Sequence, residues 1–213
     1  EIRNHAILFN RCTSVADNKY IDRPAIPGSL PNFYLAIETT GTEPGGDKIV
    51  TIQFMELDRN AATKKGGLTV LKEWESSERE ILLKFISESK IADPYPFTFV
   101  PVGYNLGFEH KFFLERCRAN NLPPIDILNK PFIDLRPFGI VMNRGEFKDS
   151  GLDKITGKPH DGSIIPQWYR EKKWSEIESY VTAEAEEFVR FCAWLYRELP
   201  GMLQRYRQES GLG

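Results

Sequence analysis

Three apolar runs, Phe33 to Glu38, Ile49 to Leu57 and Leu68 to Trp74, follow one another with only turn-rich segments between them. The intervening "TTGTEPGGDK" and "KKGG" hold the Gly and Pro that reverse a chain, so the three runs predict consecutive antiparallel strands. A helix then follows. Ser77-x-x-Glu80 has the spacing of a capping box, and Ile81, Leu82, Phe85 and Ile86 behind it fall on one helical face. Downstream the pattern changes. "FTFVPVGYN" reads as a strand feeding a helix in which Phe108, Phe112 and Glu115 recur at four and three residues, and "PFIDL", Pro131 to Leu135, reads as another short strand. Small helices are expected around Phe138 to Asn143 and Leu152 to Ile155. A long one opens at a second Ser-x-x-Glu, Ser175 to Glu178, and stops at Pro200-Gly201. Its apolar positions, Ile177, Val181, Ala185, Phe188, Cys192 and Leu195, keep the 3.6-residue period of a helix packed on a sheet. Antiparallel strands followed by strand and helix alternation predict an α/β layer fold with a mixed sheet.

At 213 residues the chain is long enough for one substantial core and short for two. No internal repeat or long linker marks a boundary. No segment approaches the roughly 18 apolar residues of a membrane span, and no basic-then-apolar leader is visible at the start. Cys12, Cys117 and Cys192 are far apart and show no C-x-x-C spacing, which fits a reduced, cytoplasmic setting. A net charge of -2 lacks the basic field of a protein that coats duplex DNA, but is compatible with gripping a single strand end. Lys64-Lys65 and Lys172-Lys173 read as solvated faces or turns. The first thirty residues are the least readable: "HAILFNRC" is compatible with a strand and "RPAIPGSLP" with an extended lead-in.

The chemistry of the chain lies in its acids. Along a strand, side chains alternate, so Ala36 and Glu38 project to one face and Leu35 and Ile37 to the other. Glu38 thus stands at a strand end beside Thr39-Thr40-Gly41, with a gap where Ala36 stands. Glu109 falls in the first turn of the helix after "VGYN". Glu184 lies four residues after Tyr180, on the same side of the long helix. Half-buried carboxylates are costly unless paired, hydrogen-bonded or bound to a cation, so three at sheet-facing positions invite a metal ion. Each also has an ordinary reading: Glu38 begins a loop, Glu109 favours a helix N-terminus, and Glu184 is one of the solvated acids of "EAEEF".

"YLAIETTG", "VGYNLGFEHKFFL" and "YVTAEAEEFVRF" occur in that order, and each resembles one motif of the DnaQ-like (DEDD) 3'-5' exonucleases: an apolar strand with Asp-x-Glu and Thr-Gly, an Asn-x-x-Phe-Asp segment, and the Tyr-x-x-x-Asp of the tyrosine subclass. The segment from Gly151 to Tyr180 is also similar to exonucleases related to the proofreading domain of family B polymerases. This resemblance implies a ribonuclease H-like mixed β-sheet flanked by helices, in a single domain with residues 1–31 as an extension and 32–200 as the core. It implies hydrolysis of single-stranded DNA or RNA, DNA favoured, from an end by two Mg²⁺ or Mn²⁺ ions. Glu38, Glu109 and Glu184 match the metal ligands, and Tyr180 the residue that orients the attacking water. Ala36 stands where the family has an aspartate ligand, and Glu109 and Glu184 replace aspartates. Either the alanine is an introduced change that halts cleavage, which the intact neighbouring motifs favour, or this branch has altered its catalysis. A single-stranded nucleic-acid binding module without turnover is the alternative.

Further candidates are Thr39, Thr40, Gly41, Asn105 and Phe108 for substrate contacts, Asn105 also as a helix cap. Asp134 is placed to cap the next helix or to touch the site, and Tyr104 to stack on bases or pack in the core. His110 and His160 are expected on the surface or in loops. A ring or dimer would give a processive grip.

Overall fold

The computed structural model describes residues 31–157 and 162–211. The "HAILFNRC" run, Cys12, His160 and all of "RPAIPGSLP" except Pro31 lie outside the described residues. The elements run β1 (Asn32–Thr39), β2 (Ile49–Leu57), β3 (Thr69–Lys72), α1 (Glu78–Ser89), β4 (Val100–Gly103), α2 (Leu106–Ala119), β5 (Ile133–Asp134), α3 (Arg136–Met142), α4 (Leu152–Thr156), α5 (Ile165–Arg170) and α6 (Trp174–Glu209). The five strands form one mixed sheet in the order β3-β2-β1-β4-β5. β1 pairs antiparallel with β2, and β2 with β3, whereas β4 and β5 join in parallel. The fold is α/β.

Strand alternation divides the core. Leu35, Ile37, Ile52, Phe54 and Leu71 face Ile81, Leu82 and Phe85 of α1 and Phe112 and Phe113 of α2. Tyr34, Met55 and Val102 face Ala185, Phe188, Cys192 and Leu195 of α6 on the opposite side. A third cluster joins Val50 to Ile165, Ile177, Tyr180 and Val181, tying α5 and the start of α6 to the sheet end. Val50 reaches it because the β1/β2 register slips: Glu38 faces Thr51 but Thr39 faces Ile49, so Val50 is the extra residue of a bulge. Because β1, β4 and β5 are parallel, Glu38, Asn105 and Asp134 emerge at the same sheet edge, the edge where open α/β sheets present their sites.

Four expectations need correction. The run to Trp74 is a strand only to Lys72; Glu73–Glu75 form a 3-10 turn instead, which turns the chain into α1. Ser77 caps α1 as expected, accepting from the Glu80 amide at 3.2 Å, but Ser175-x-x-Glu178 is no cap, because α6 already begins at Trp174 and Ser175 lies inside it. The helix also does not stop at Pro200. It continues to Glu209, losing one backbone hydrogen bond at the proline, and the residues beyond, "MLQRYRQE", are mostly good helix formers. His110 is not a loop residue either: it lies on α2 with Nδ1 3.5 Å from Asp126 Oδ1. α5 carried no clear signal in the sequence. Among the described residues no helix is long and apolar enough to cross a membrane.

One buried carboxylate joins three elements. Glu78 at the start of α1 accepts from the Ile49 amide of β2 at 2.8 Å, from Arg116 Nε at 2.9 Å and from Asn120 Nδ2 at 2.9 Å. The Arg116 guanidinium also donates to the Pro44 carbonyl at 3.3 Å, which holds the loop after Glu38. Removing one member of a buried ion pair strands the other, so Glu78→Ala is expected to lose about 3 kcal/mol of stability in urea unfolding.

Candidate functional site

The site lies where the C-terminal ends of β1 and β4 meet α2 and α6. Glu38 ends β1 and is buried, its position set by the ladder to Thr51 and by the bulge that follows. The loop after it is self-supporting. Thr39 Oγ1 donates to the Gly41 carbonyl at 2.5 Å, Thr40 Oγ1 meets Asp47 Oδ1 at 3.2 Å and accepts from the Lys48 amide at 3.1 Å. A Cβ on Gly41 would overlap the Asp47 carboxylate, so this turn requires glycine for close approach. Thr39, Thr40 and Gly41 therefore build the turn that follows Glu38.

Asn105 occupies the N-cap position of α2 in the left-handed region, φ 68° and ψ 44°, and its side chain makes no capping bond. The cap is Asp134, reaching across from β5. Its carboxylate accepts from the amides of Asn105 at 2.8 Å, Leu106 at 3.0 Å and Arg136 at 2.9 Å, while Arg136 donates to Asn105 Oδ1 at 2.6 Å. Asp134 therefore caps α2, the helix before it in the chain, with negative charge at the positive end of the helix. Phe108 packs on the α1/α2 core, 4.8 Å from the Phe112 ring. Tyr104 packs in the α6-side core and donates to the Ser150 carbonyl. Lys64, Lys65 and Lys173 pair with Glu186, Glu56 and Glu171 at the surface.

Glu109, one turn inside α2, is buried, and its Oε2 has no hydrogen-bond partner. Burial above all, then the charges of Asp134 and Glu184, push its carboxyl well above the ordinary range, against a backbone hydrogen bond that lowers it. Tyr180 is buried on α6 and hydrogen-bonded to Glu184; burial, then the Glu38 and Glu184 charges, raise its hydroxyl far above the usual phenol range. The three glutamates also act together on a residue of the first motif that the sequence reading did not single out. Tyr34 is buried on β1, and after desolvation the charges of Glu184, Glu38 and Glu109 all raise its hydroxyl. Its signal was available, since alternation puts Tyr34 on the face of Ala36 and Glu38. Gly162 had no such signal. A Cβ there would stand 3.3 Å from Glu38 Oε2 and 3.7 Å from the Tyr180 hydroxyl, so Gly162 lies beside both groups.

Oxygen-only donors of this kind suit a hard divalent cation, and the orphaned Glu109 Oε2 is an atom that such an ion would satisfy. Ala36 contributes no ligand. Among the described residues, no three acidic, His or Cys side chains stand close enough together to share an ion as placed.

Comparison with solved structures finds E. coli exonuclease I. The metal-free form of its complex with single-stranded DNA aligns with a TM-score of 0.55 at 12% identity, covering 83% of this chain and 41% of that one. The zinc-bound form of that complex aligns at 0.55 and 13%, covering 82% and 42%. The complex with a dT13 oligonucleotide aligns at 0.53 and 14%, covering 82% and 43%. The present chain thus spans about two fifths of the length of these structures. No family model and no curated protein matches. At these identities the likeness is one of fold, and that fold is ribonuclease H-like.

The Asp134 cap is separable from any role in chemistry. Asp134→Ala leaves three amides without their acceptor and is expected to destabilise the chain by about 2 kcal/mol. Asp134→Asn, which keeps an acceptor oxygen, should lose less than half of that; urea unfolding of the two variants checks the difference.

Proposed function

We propose that this chain is a DnaQ-like nuclease domain of the tyrosine subclass that hydrolyses single-stranded nucleic acid, DNA favoured, from the 3' end, weakened by Ala36. What supports this reading is that the charges of Glu38, Glu109 and Glu184, on three separate elements, all bear on the buried Tyr34 hydroxyl. The fold is shared with E. coli exonuclease I, whose solved complexes contain single-stranded DNA and dT13, and the edge that carries the glutamates is where such sheets present ligands.

Glu38, Glu109 and Glu184 would hold Mg²⁺ or Mn²⁺. A bound pair of such ions lowers the pKa of water and stabilises the attacking and leaving oxygens of an in-line displacement. The protein's own groups divide the remaining work. Tyr180 stays protonated at neutral pH, because its hydroxyl is raised by burial and by two carboxylates; it therefore orients a water by hydrogen bonding and does not remove the proton. Its bond to Glu184 fixes the direction of that hydroxyl. Gly162 borders Glu38 Oε2 and Tyr180; a Cβ there would press on Glu38 Oε2 at 3.3 Å and touch the Tyr180 hydroxyl in ordinary contact at 3.7 Å. The loop from Thr39 to Gly41, braced by Asp47, presents a rigid border on the other flank.

The test is an assay on end-labelled single-stranded DNA and RNA with Mg²⁺ and with Mn²⁺, comparing this chain with Ala36→Asp. A supplied carboxylate is expected to raise cleavage about a hundredfold, with a ladder that shortens from the 3' end. In that background Tyr180→Phe should lower kcat about a hundredfold with little change in KM. Strand binding that weakens steeply with salt and no cleavage by either protein would instead identify a binding module.

A further inference from the structure

The buried stripe of α6 runs past the sheet it packs on. Phe188, Cys192 and Leu195 are buried and Leu199 is half-buried. The same spacing of three and four residues then continues through Met202 and Tyr206, with Leu203 beside them. Met202 is 51% exposed, Leu203 51% and Tyr206 59%. Apolar residues scattered singly over a surface would not keep the helical period. This is a core-facing stripe that outruns its core, and among the described residues nothing packs on it.

The start of β1 points at this face. Tyr180 lies near Glu38, whose charge raises its hydroxyl. The Phe188 ring is 4.9 Å from that of Tyr34, and Tyr196 is hydrogen-bonded to the Asn32 side chain. Residue numbers rise along α6 as they fall along β1, so the two run antiparallel, and the chain followed backwards from Asn32 heads toward Leu199 and Tyr206. Pro31 is held at that end, its carbonyl accepting from the Val100 amide at 3.4 Å. Before it in the sequence stands "RPAIPGSL", Arg23 to Leu30. Ile26 and Leu30 each precede a proline, which disfavours helix and favours extended backbone. Five extended steps, Ile26 to Pro31, span about 15 Å, which matches the rise of α6 from Tyr196 to Tyr206, also about 15 Å.

We propose that the lead-in from Arg23 to Leu30 is what covers this face, with Ile26 and Leu30 packed on Leu199, Met202, Leu203 and Tyr206. Size favours this occupant over a second copy of the chain. Four side chains fall well short of the roughly 1,200 Å² that a stable interface between proteins buries, whereas a segment tethered at Pro31 docks at high effective concentration. Its prolines lower the cost further, because they leave the chain less freedom to lose. The inference does not depend on the nuclease reading, since Asn32 and Tyr196 lie at the opposite end of β1 from Glu38.

Hydrogen exchange of the full chain, read by mass spectrometry, tests the cover. Ile26→Asp with Leu30→Asp is expected to speed exchange of the amides at residues 199–209 about tenfold while leaving those of α1 as they are. Unchanged exchange at 199–209 would overturn the proposal. A second measurement uses thiols in a Cys12→Ser background, where Cys117 and Cys192 are buried. Ile26→Cys with Leu203→Cys should close a disulfide within one chain, in a glutathione buffer, about tenfold faster than Ile26→Cys with Arg197→Cys, since Arg197 is exposed on another side of α6. Comparable rates for the two pairs, or a disulfide that joins two chains, would equally overturn it.

Discussion

Everything at the candidate site hangs on β1 lying inside the sheet with one antiparallel and one parallel neighbour. The antiparallel side, β2, is covalently close and brings Thr51 and Gln53 beside Glu38 and Ala36. The parallel side, β4, arrives after a helix and brings the start of α2, and with it Glu109, to the same edge. A sheet of one pairing type would not do both. Antiparallel pairing alone would send the next helix start to the opposite end, and parallel pairing alone would require a crossover in place of the short connection after Glu38.

The polar groups near this edge fall into two sets with different physics. Asp134, Glu78 and Asp47 are satisfied several times over by amides and guanidinium groups, and they hold the frame. Glu109 and Gln53 are buried with an oxygen left over. Frames are built from satisfied acceptors because each lost bond costs stability. An unsatisfied one persists only where packing elsewhere offsets it, and the cores on both sheet faces, dominated by Phe85, Phe112, Phe113 and Phe188, supply that packing here.

Charge also shapes the two buried phenols near the glutamates. Tyr34 and Tyr180 are both buried among carboxylates and both resist ionisation. As neutral groups they can hydrogen-bond without adding to the negative charge that already raises Glu109. Replacing either by an acid would worsen that repulsion at close range in a dry environment.

The strands β1 and β2, the cap of α1 and the apolar stripe of α6 were legible in the sequence, because period, turn residues and capping chemistry act over a few neighbours. Glu38, Glu109, Tyr180 and Glu184 were singled out by the resemblance of their motifs to a known family, not by local physics. Helix ends read less well: Pro200 does not end α6, and the Ser175 spacing caps nothing, because neither residue's local preference outweighs the helix built around it. What lies between distant residues was decided by tertiary structure alone. Asp134 caps a helix that precedes it by 28 residues of chain, Gly162 lies beside Glu38 and Tyr180, and Gln53 faces Ala36 only through a register that the bulge at Val50 adjusts. No local pattern encodes these meetings, since each depends on where strand pairing and core packing bring separate segments together.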